Sequence, residues 1–305
     1  MKRFILWLSL LSPCVVQAQD DLLKQLEKDT PPETEYAFAT FKGTRLGNGH
    51  TVETKNGGSL EFIFGHRFGP ISGGAYEFFG LDQAYVRLGL DYGITDRLSV
   101  SIGRNSTDKT VDGYLKYKAL RQSKGAKNFP VTVTALGGMA YKLSPKNNAD
   151  VSPEYENIDR VSYTGQLLIA RKFSQALSLQ LMPTLVHKNS VESYEENNQF
   201  ALGFGGRMKV SRSMAITGEY YYNMSSPDNS TLPEDRKLYD AMSIGLDIET
   251  GGHVFQILLT NAIGLTERAF ITETHDNFFK GDIHLGFNVT RTFQMKKKDR
   301  IQKKN

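Results

Sequence analysis

The sequence predicts an all-β chain closed into an antiparallel transmembrane β-barrel of about 12 strands, with a short N-terminal periplasmic segment. Three observations predict it. The first is a strict alternation in which Ala84, Val86, Leu88, Leu90, Tyr92 and Ile94 are separated by Gln83, Tyr85, Arg87, Gly89, Asp91 and Gly93. A strand sends alternate side chains to opposite faces. One face is therefore greasy and the other carries a cation, an anion and glycines, as in a wall with lipid outside and polar space inside. The second is that long and short connections alternate along the chain. The third is an N-terminus with the build of an export signal.

Residues 1–18 read as a signal peptide. Lys2 and Arg3 precede an apolar run from Phe4 to Val16, and Val16-Gln17-Ala18 places cleavage after Ala18. A membrane helix would need about 20 apolar residues and a stop-transfer flank. Cys14 is the only cysteine, and Pro13 before it fits a lipoprotein box poorly. Removal of the signal leaves no thiol for a disulfide, a thiolate metal site or a cysteine nucleophile.

Residues 19–58 form the periplasmic segment. Leu22, Leu23 and Leu26 have helical spacing within 20–28, and Pro31-Pro32 stops any helix. So short a helix is marginal in isolation, and a disordered leader is the alternative. Residues 36–58 are polar and glycine-rich, with Gly43, Gly47, Gly49, Gly57 and Gly58, and alternate weakly. They read as a linker or plug. Lys42, Arg45, His50 and Glu53 are the plug candidates, and a cap packed under the rim is the alternative.

Residues 59–293 form the barrel. Its segments run near 59–68, 81–94, 97–105, 110–120, 129–143, 159–173, 176–187, 198–210, 213–224, 238–249, 253–264 and 279–293. Each is close to the length of a tilted membrane strand, and an even count brings both ends to one side. Connections 95–96, 174–175, 211–213 and 250–252 are tight, whereas 69–80, 144–158, 188–197, 225–237 and 265–278 are long. The tight ones are assigned to the periplasm and the long ones to the exterior. Two fit less well: 121–128 is long for a periplasmic turn, and 106–109 is short for an external loop. Tyr92, Phe173 and Phe293 then lie near one interface and Phe68, Tyr141 and Tyr222 near the other, giving two aromatic girdles. A soluble antiparallel sandwich also has regular short strands, but accounts for neither the girdles nor the loop asymmetry. Residues 294–305 form a basic periplasmic tail.

Five stretches resemble an uncharacterised family of bacterial outer-membrane β-barrels, a domain of unknown function. They are Thr40-Phe41-Lys42-Gly43-Thr44-Arg45, Asn48-Gly49-His50, Gly65-His66-Arg67-Phe68-Gly69, Gly80-Leu81-Asp82-Gln83-Ala84 and Tyr92-Gly93-Ile94-Thr95-Asp96-Arg97. The likeness runs on to Asn288-Val289-Thr290-Arg291-Thr292-Phe293. It implies an outer-membrane barrel and supplies no activity or catalytic residue.

Alternation turns Glu61, Arg67, Arg87, Asp91, Asp112, Lys116, Arg207, Glu219, Asp247, Asp282 and His284 inward. Twelve strands enclose more space than eight, whose side chains alone can fill them, and less than a large porin. These residues therefore line a narrow pore or a plugged one, or pair among themselves to satisfy a closed interior. The external loops carry Glu154, Glu156, Glu192, Glu195, Glu196, Asp228, Glu234, Asp235, Glu267, Glu273 and Asp276, which makes the outer mouth acidic. The periplasmic side holds Arg97, Arg121, Lys124, Lys127 and Arg212.

Enzyme signals are weak. His66 and His187 lie near external strand ends without a serine partner, so an interfacial lipid hydrolase is a distant reading. The histidines lack metal-motif spacing, and Gly203-Phe204-Gly205-Gly206-Arg207 lies within a strand, where glycines allow close packing. No metal and no cofactor is expected. Nucleic acid is not an expected partner, because no basic stripe is interleaved with aromatics. Expected partners are outer-membrane lipid, the barrel-assembly machinery and a small polar solute. The reading is a narrow outer-membrane channel with an acidic mouth, and the alternative is a closed structural or adhesive barrel.

Overall fold

Alternation over 8 to 12 residues builds each barrel strand, and glycine, proline, Asx or serine residues interrupt the pattern between strands. In the computed structural model, which describes residues 33–143 and 156–295, twelve such strands close into one antiparallel barrel. The expected signal peptide, the 20–28 helix, Glu154 and the tail beyond 295 lie outside the described residues.

Two short strands stand apart, β1 (Thr34–Tyr36) and β6 (Ser123–Gly125), paired antiparallel with Thr34 opposite Gly125. The barrel itself contains β2 (Ser59–Pro70), β3 (Ala84–Gly93), β4 (Leu98–Asn105), β5 (Val111–Leu120), β7 (Thr132–Tyr141) and β8 (Val161–Lys172). It continues through β9 (Leu177–Lys188), β10 (Asn198–Lys209), β11 (Met214–Asn223), β12 (Ala241–Thr250), β13 (His253–Thr260) and β14 (His284–Gln294). Each strand pairs with its neighbour along the chain, and β14 closes on β2 with Val289 opposite Phe64. Closure leaves no barrel edge unpaired, which a hydrocarbon environment requires.

All the expected strands are present. The largest differences in extent fall on the last two, which were expected at 253–264 and 279–293. β13 ends at Thr260 and β14 begins at His284, so residues 261–283 form one long connection. The alternation of Leu88, Leu90 and Ile102 leaves these side chains 47%, 43% and 60% exposed on the outer face. That face is the lipid-facing one.

The two connections that break the length rule each have a structural task. The long 121–131 connection carries β6, which clips β1 beneath the barrel, and Ala37 N donates to Gln122 O at 2.8 Å. Beyond this ribbon Ala39 adopts φ +50° and the chain turns upward into the lumen. The short 106–109 turn places Asp108 over the opposite mouth, where it meets Arg268 and Lys142.

The core lies inside the barrel. Leu168 and Ala170 of β8, Met182 and Val186 of β9, Ala201 of β10 and Tyr221 of β11 form one apolar wall. Phe41, Leu46 and Val52 pack on it from the N-terminal segment, and Ala262, Phe270 and Ile271 from the last connection. On the facing side, β2 to β5 and β12 to β14 point polar and charged groups inward. The lumen is therefore two-faced and filled.

Candidate functional site

A glycine- and asparagine-bearing tip lets residues 44–51 fold back as a hairpin within the lumen. Leu46 N donates to Gly49 O at 2.9 Å, Thr51 N donates to Thr44 O at 3.0 Å, and Arg45 bridges to His50. The hairpin is wholly buried, with His50 and Thr51 at 0% exposure. It has few backbone partners of its own, so the barrel wall supplies them.

Three wall groups hold its backbone. Lys116 Nζ donates to the carbonyls of Thr44, Thr51 and Glu53 at 3.2, 2.9 and 3.0 Å, which uses all three ammonium donors. The Glu219 carboxylate accepts from the backbone N–H groups of Asn48 and Gly49, and from Ser243 Oγ. Gln180 accepts from Val52 N and donates to His50 O. At the tip, Arg67 donates to Asn48 Oδ1 at 2.7 Å and Asn48 Nδ2 donates to Thr260 Oγ1 at 3.0 Å. Asn288 and Gln256 donate to the carbonyls of Gly47 and Leu46.

Glycines set how closely the hairpin meets the wall. A Cβ at Gly49 would fall 1.9 Å from the Tyr221 hydroxyl, and one at Gly205 of β10 would fall 2.4 Å from a Leu46 methyl. The glycines of the 203–207 run therefore serve close packing, as their place within a strand implies.

A second segment fills the opposite end. After β13 the chain turns inward and forms α1 (Glu267–Thr272), every residue of which is buried. Leu265, Ala269, Phe270 and Ile271 give it an apolar face, and the Phe270 ring meets Tyr221 edge-on at 5.0 Å. Glu267 joins the two occluding segments: Oε1 lies 3.1 Å from Arg45 Nη1 and 3.1 Å from His50 Nε2. Burial, then the Arg45 charge, push the His50 pKa down to about 3, so the seated imidazole is neutral. Burial raises Glu267, but its contacts with His50 and Arg45 outweigh that and hold the carboxyl well below its ordinary range. Arg268 pairs with Glu273 and Asp108, and Lys142 pairs with the same two carboxylates. Burial raises Glu273, while Arg268, Lys142 and Lys188 bring it down to about 2.

Of the expected inward residues, Glu61, Arg67, Arg87, Asp91, Asp112, Lys116, Arg207, Glu219, Asp247 and His284 are buried inside the barrel. They meet partners rather than an open channel. Arg87 pairs with Asp112 at 2.5 Å, and Arg207 with Glu249 at 2.5 Å and Asp247 at 3.8 Å. Glu61 and Asp91 accept from Thr44 Oγ1, and His284 meets Asp276 at 2.9 Å. Asp282 is a correction: β14 begins at His284, so the alternation does not reach Asp282, which accepts from Asn277 N within the last connection. Glu267 is corrected too, because the helix buries it inside rather than at the mouth, while Glu273, just after the helix, is half-buried and paired with Arg268 and Lys142.

The plug candidates are all engaged. Lys42 pairs with Glu249 at 2.9 Å, Glu53 with Lys118 at 2.9 Å, and Arg45 and His50 with Glu267. The sequence reading missed Asn48, Gln180, Gln256, Asn288 and Tyr221, whose roles depend on what faces them. It also missed α1, although Leu265, Ala269, Phe270 and Ile271 carried a helical signal after Thr266.

Solved structures similar to this chain include porins and an outer membrane channel. The KdgM porin has 10% identity and a TM-score of 0.45, with 77% of this chain and 99% of that chain covered. The COG4313 outer membrane channel from Pseudomonas putida F1 has 14% identity and a TM-score of 0.47, covering 79% and 98%. OmpF of Salmonella typhi, solved with daunomycin, has 8% identity and a TM-score of 0.38, covering 77% and 97%. No curated protein matches the chain. The family model described as a membrane bound beta barrel domain, DUF5777, matches residues 41–293, from the base of the hairpin to the end of the last strand, and the chain belongs to that family of unknown function.

Proposed function

We propose that the protein is a gated outer-membrane channel for small polar solutes, closed in this conformation by the hairpin from one end and the α1 loop from the other. The observation that carries this reading is the polar half of the lumen. Glu61, Asp91 and Lys116, then Asn288, Arg67 and Thr260, bind the hairpin through hydrogen bonds that water can replace. Withdrawal of the hairpin would leave these groups lining an aqueous path along β2 to β5 and β12 to β14. The long-loop end would face the exterior and the short-turn end the periplasm. Exposed Glu192, Glu196, Asp228 and Asp235 would make the outer mouth acidic and favour cations there at low salt.

One observation favours the rival reading of a permanently closed scaffold. Phe41, Leu46 and Val52 sit in an apolar core, and exposing each fully buried side chain costs roughly 1.5 to 3 kcal/mol. Opening must therefore be driven, by a ligand, a voltage or a partner.

A reversible lock separates the two. A Cβ at Gly47 would lie 2.6 Å from Ser243 Oγ, so Gly47→Cys with Ser243→Cys places two sulfurs within bonding reach. In planar bilayers the reduced variant is expected to show voltage-driven openings that oxidation abolishes. A reduced variant, and an intact protein, that stay sealed at every voltage would favour the scaffold.

A further inference from the structure

We infer that the short-turn mouth is a binding site for small multivalent organic anions. A cavity of about 890 Å³ opens there, floored by the base of the hairpin and walled by the turns of the barrel. That volume suits a small organic solute. Its acidic groups are already engaged. Glu249 is bound by Lys42 and Arg207, Glu53 by Lys118 and Glu61 by Lys55, while Asp96 Oδ1 accepts from Gly57 N.

Three lining cations have no acidic partner among the described residues: Arg97, Arg121 and Arg212. Arg97 lies in the β3–β4 turn and Arg212 in the β10–β11 turn, on opposite sides of the barrel, so the cavity is flanked by guanidinium groups rather than edged by one patch. Arg121 is held in place by the Tyr36 ring, 4.4 Å from its guanidinium carbon, and Tyr36 is itself fixed by the β1–β6 pairing. Guanidinium forks match carboxylate and phosphate oxygens in bidentate geometry. The closed floor keeps a captured anion in the cavity. A ligand carrying two or more carboxylates or phosphates can span opposing arginines, whereas a monovalent or neutral one cannot. The site exists in the closed protein and does not depend on the barrel ever opening.

The test uses the full-length protein in detergent at low salt, with citrate as the multivalent probe and sucrose as the neutral one, followed by calorimetry. Citrate is expected to bind and sucrose not to bind. Arg97→Ala/Arg121→Ala/Arg212→Ala is expected to weaken citrate binding by about tenfold or more, consistent with the loss of charge-assisted hydrogen bonds. The corresponding triple lysine variant keeps the charge but not the forks, and should bind citrate with an affinity between those of the intact protein and the alanine variant. Replacing Lys109, Lys237 and Lys280 at the other end by alanine should leave it unchanged. All the substituted arginines lie on turns or at the mouth, so heat-modifiable migration verifies that each variant is folded. Absence of citrate binding to the intact protein, unchanged binding in the alanine variant, or equal loss in the control variant would overturn the assignment. None of these results bears on conductance, so the site and the channel reading stand or fall separately.

Discussion

Tyr221 is the side chain on which the two occluding segments meet. Its hydroxyl fills the space a Gly49 side chain would need, and its ring receives Phe270 of α1. Gly49→Val is therefore expected to unseat the hairpin without disturbing the strands. Limited trypsin digestion reads this directly, because Arg45 is buried while the hairpin is seated, and cleavage there should accelerate. Lys116→Met leaves the carbonyls of Thr51 and Glu53 without a donor and takes one of two from Thr44, each orphaned carbonyl a loss of about 1 to 3 kcal/mol when buried. The same digestion should quicken by about tenfold or more, and an unchanged rate would mean the lysine does not hold the hairpin. On the outer face, Leu88→Lys should cost about 2 to 4 kcal/mol in bilayer stability if near midplane, measured by reversible unfolding in vesicles. At this scale alternation made the inward set legible from Glu61 to Asp247. It could not identify Asn48 or Gln256, because irregular segments have no period and a polar side chain's task is set by its partner.

The hairpin and α1 are latched at one junction outside the strands, where Glu267 faces Arg45 and His50. Seated His50 has its pKa lowered to about 3 from its ordinary 6.5, so release of the hairpin takes up a proton between those values. Seated Glu267 is held below its ordinary 4.5, so release takes up a second proton below that pH. Both signs agree: the latch is strongest above about pH 6.5 and weakens as pH falls. The release equilibrium should rise by up to about tenfold per pH unit between 6.5 and 4.5, and more steeply below. Trypsin cleavage at Arg45 or channel opening between pH 7.5 and 4.5 measures it, and His50→Gln should flatten the upper part of the profile. A flat profile in the unaltered protein would remove this junction as the latch. The glycine content and polarity of residues 36–58 are legible as a linker, a plug or a cap under the rim, and sequence alone does not choose among them. The α1 loop was read as an exposed connection because its acids suggest solvent, whereas Arg45, Arg268 and Lys142 neutralise them inside.

At the scale of the whole molecule, closure and strand count followed from period 2 and from the alternation of loop lengths. The two-faced lumen did not, although Leu167-Leu168-Ile169-Ala170 is apolar on both faces and marks where the barrel wall meets a packed interior. Strand pairing is complete without either occluding segment, so removing both should leave a folded barrel. The proposed channel requires that these two segments alone close a lumen wide enough to conduct. Its most direct test is single-channel recording in planar bilayers of a variant lacking residues 40–54 and carrying a short glycine-serine link in place of 264–274. The expected result is a heat-modifiable barrel with a steady conductance far above that of the intact protein, and an intermediate value when only the hairpin is removed. A correctly folded double variant that seals as tightly as the intact chain would contradict it.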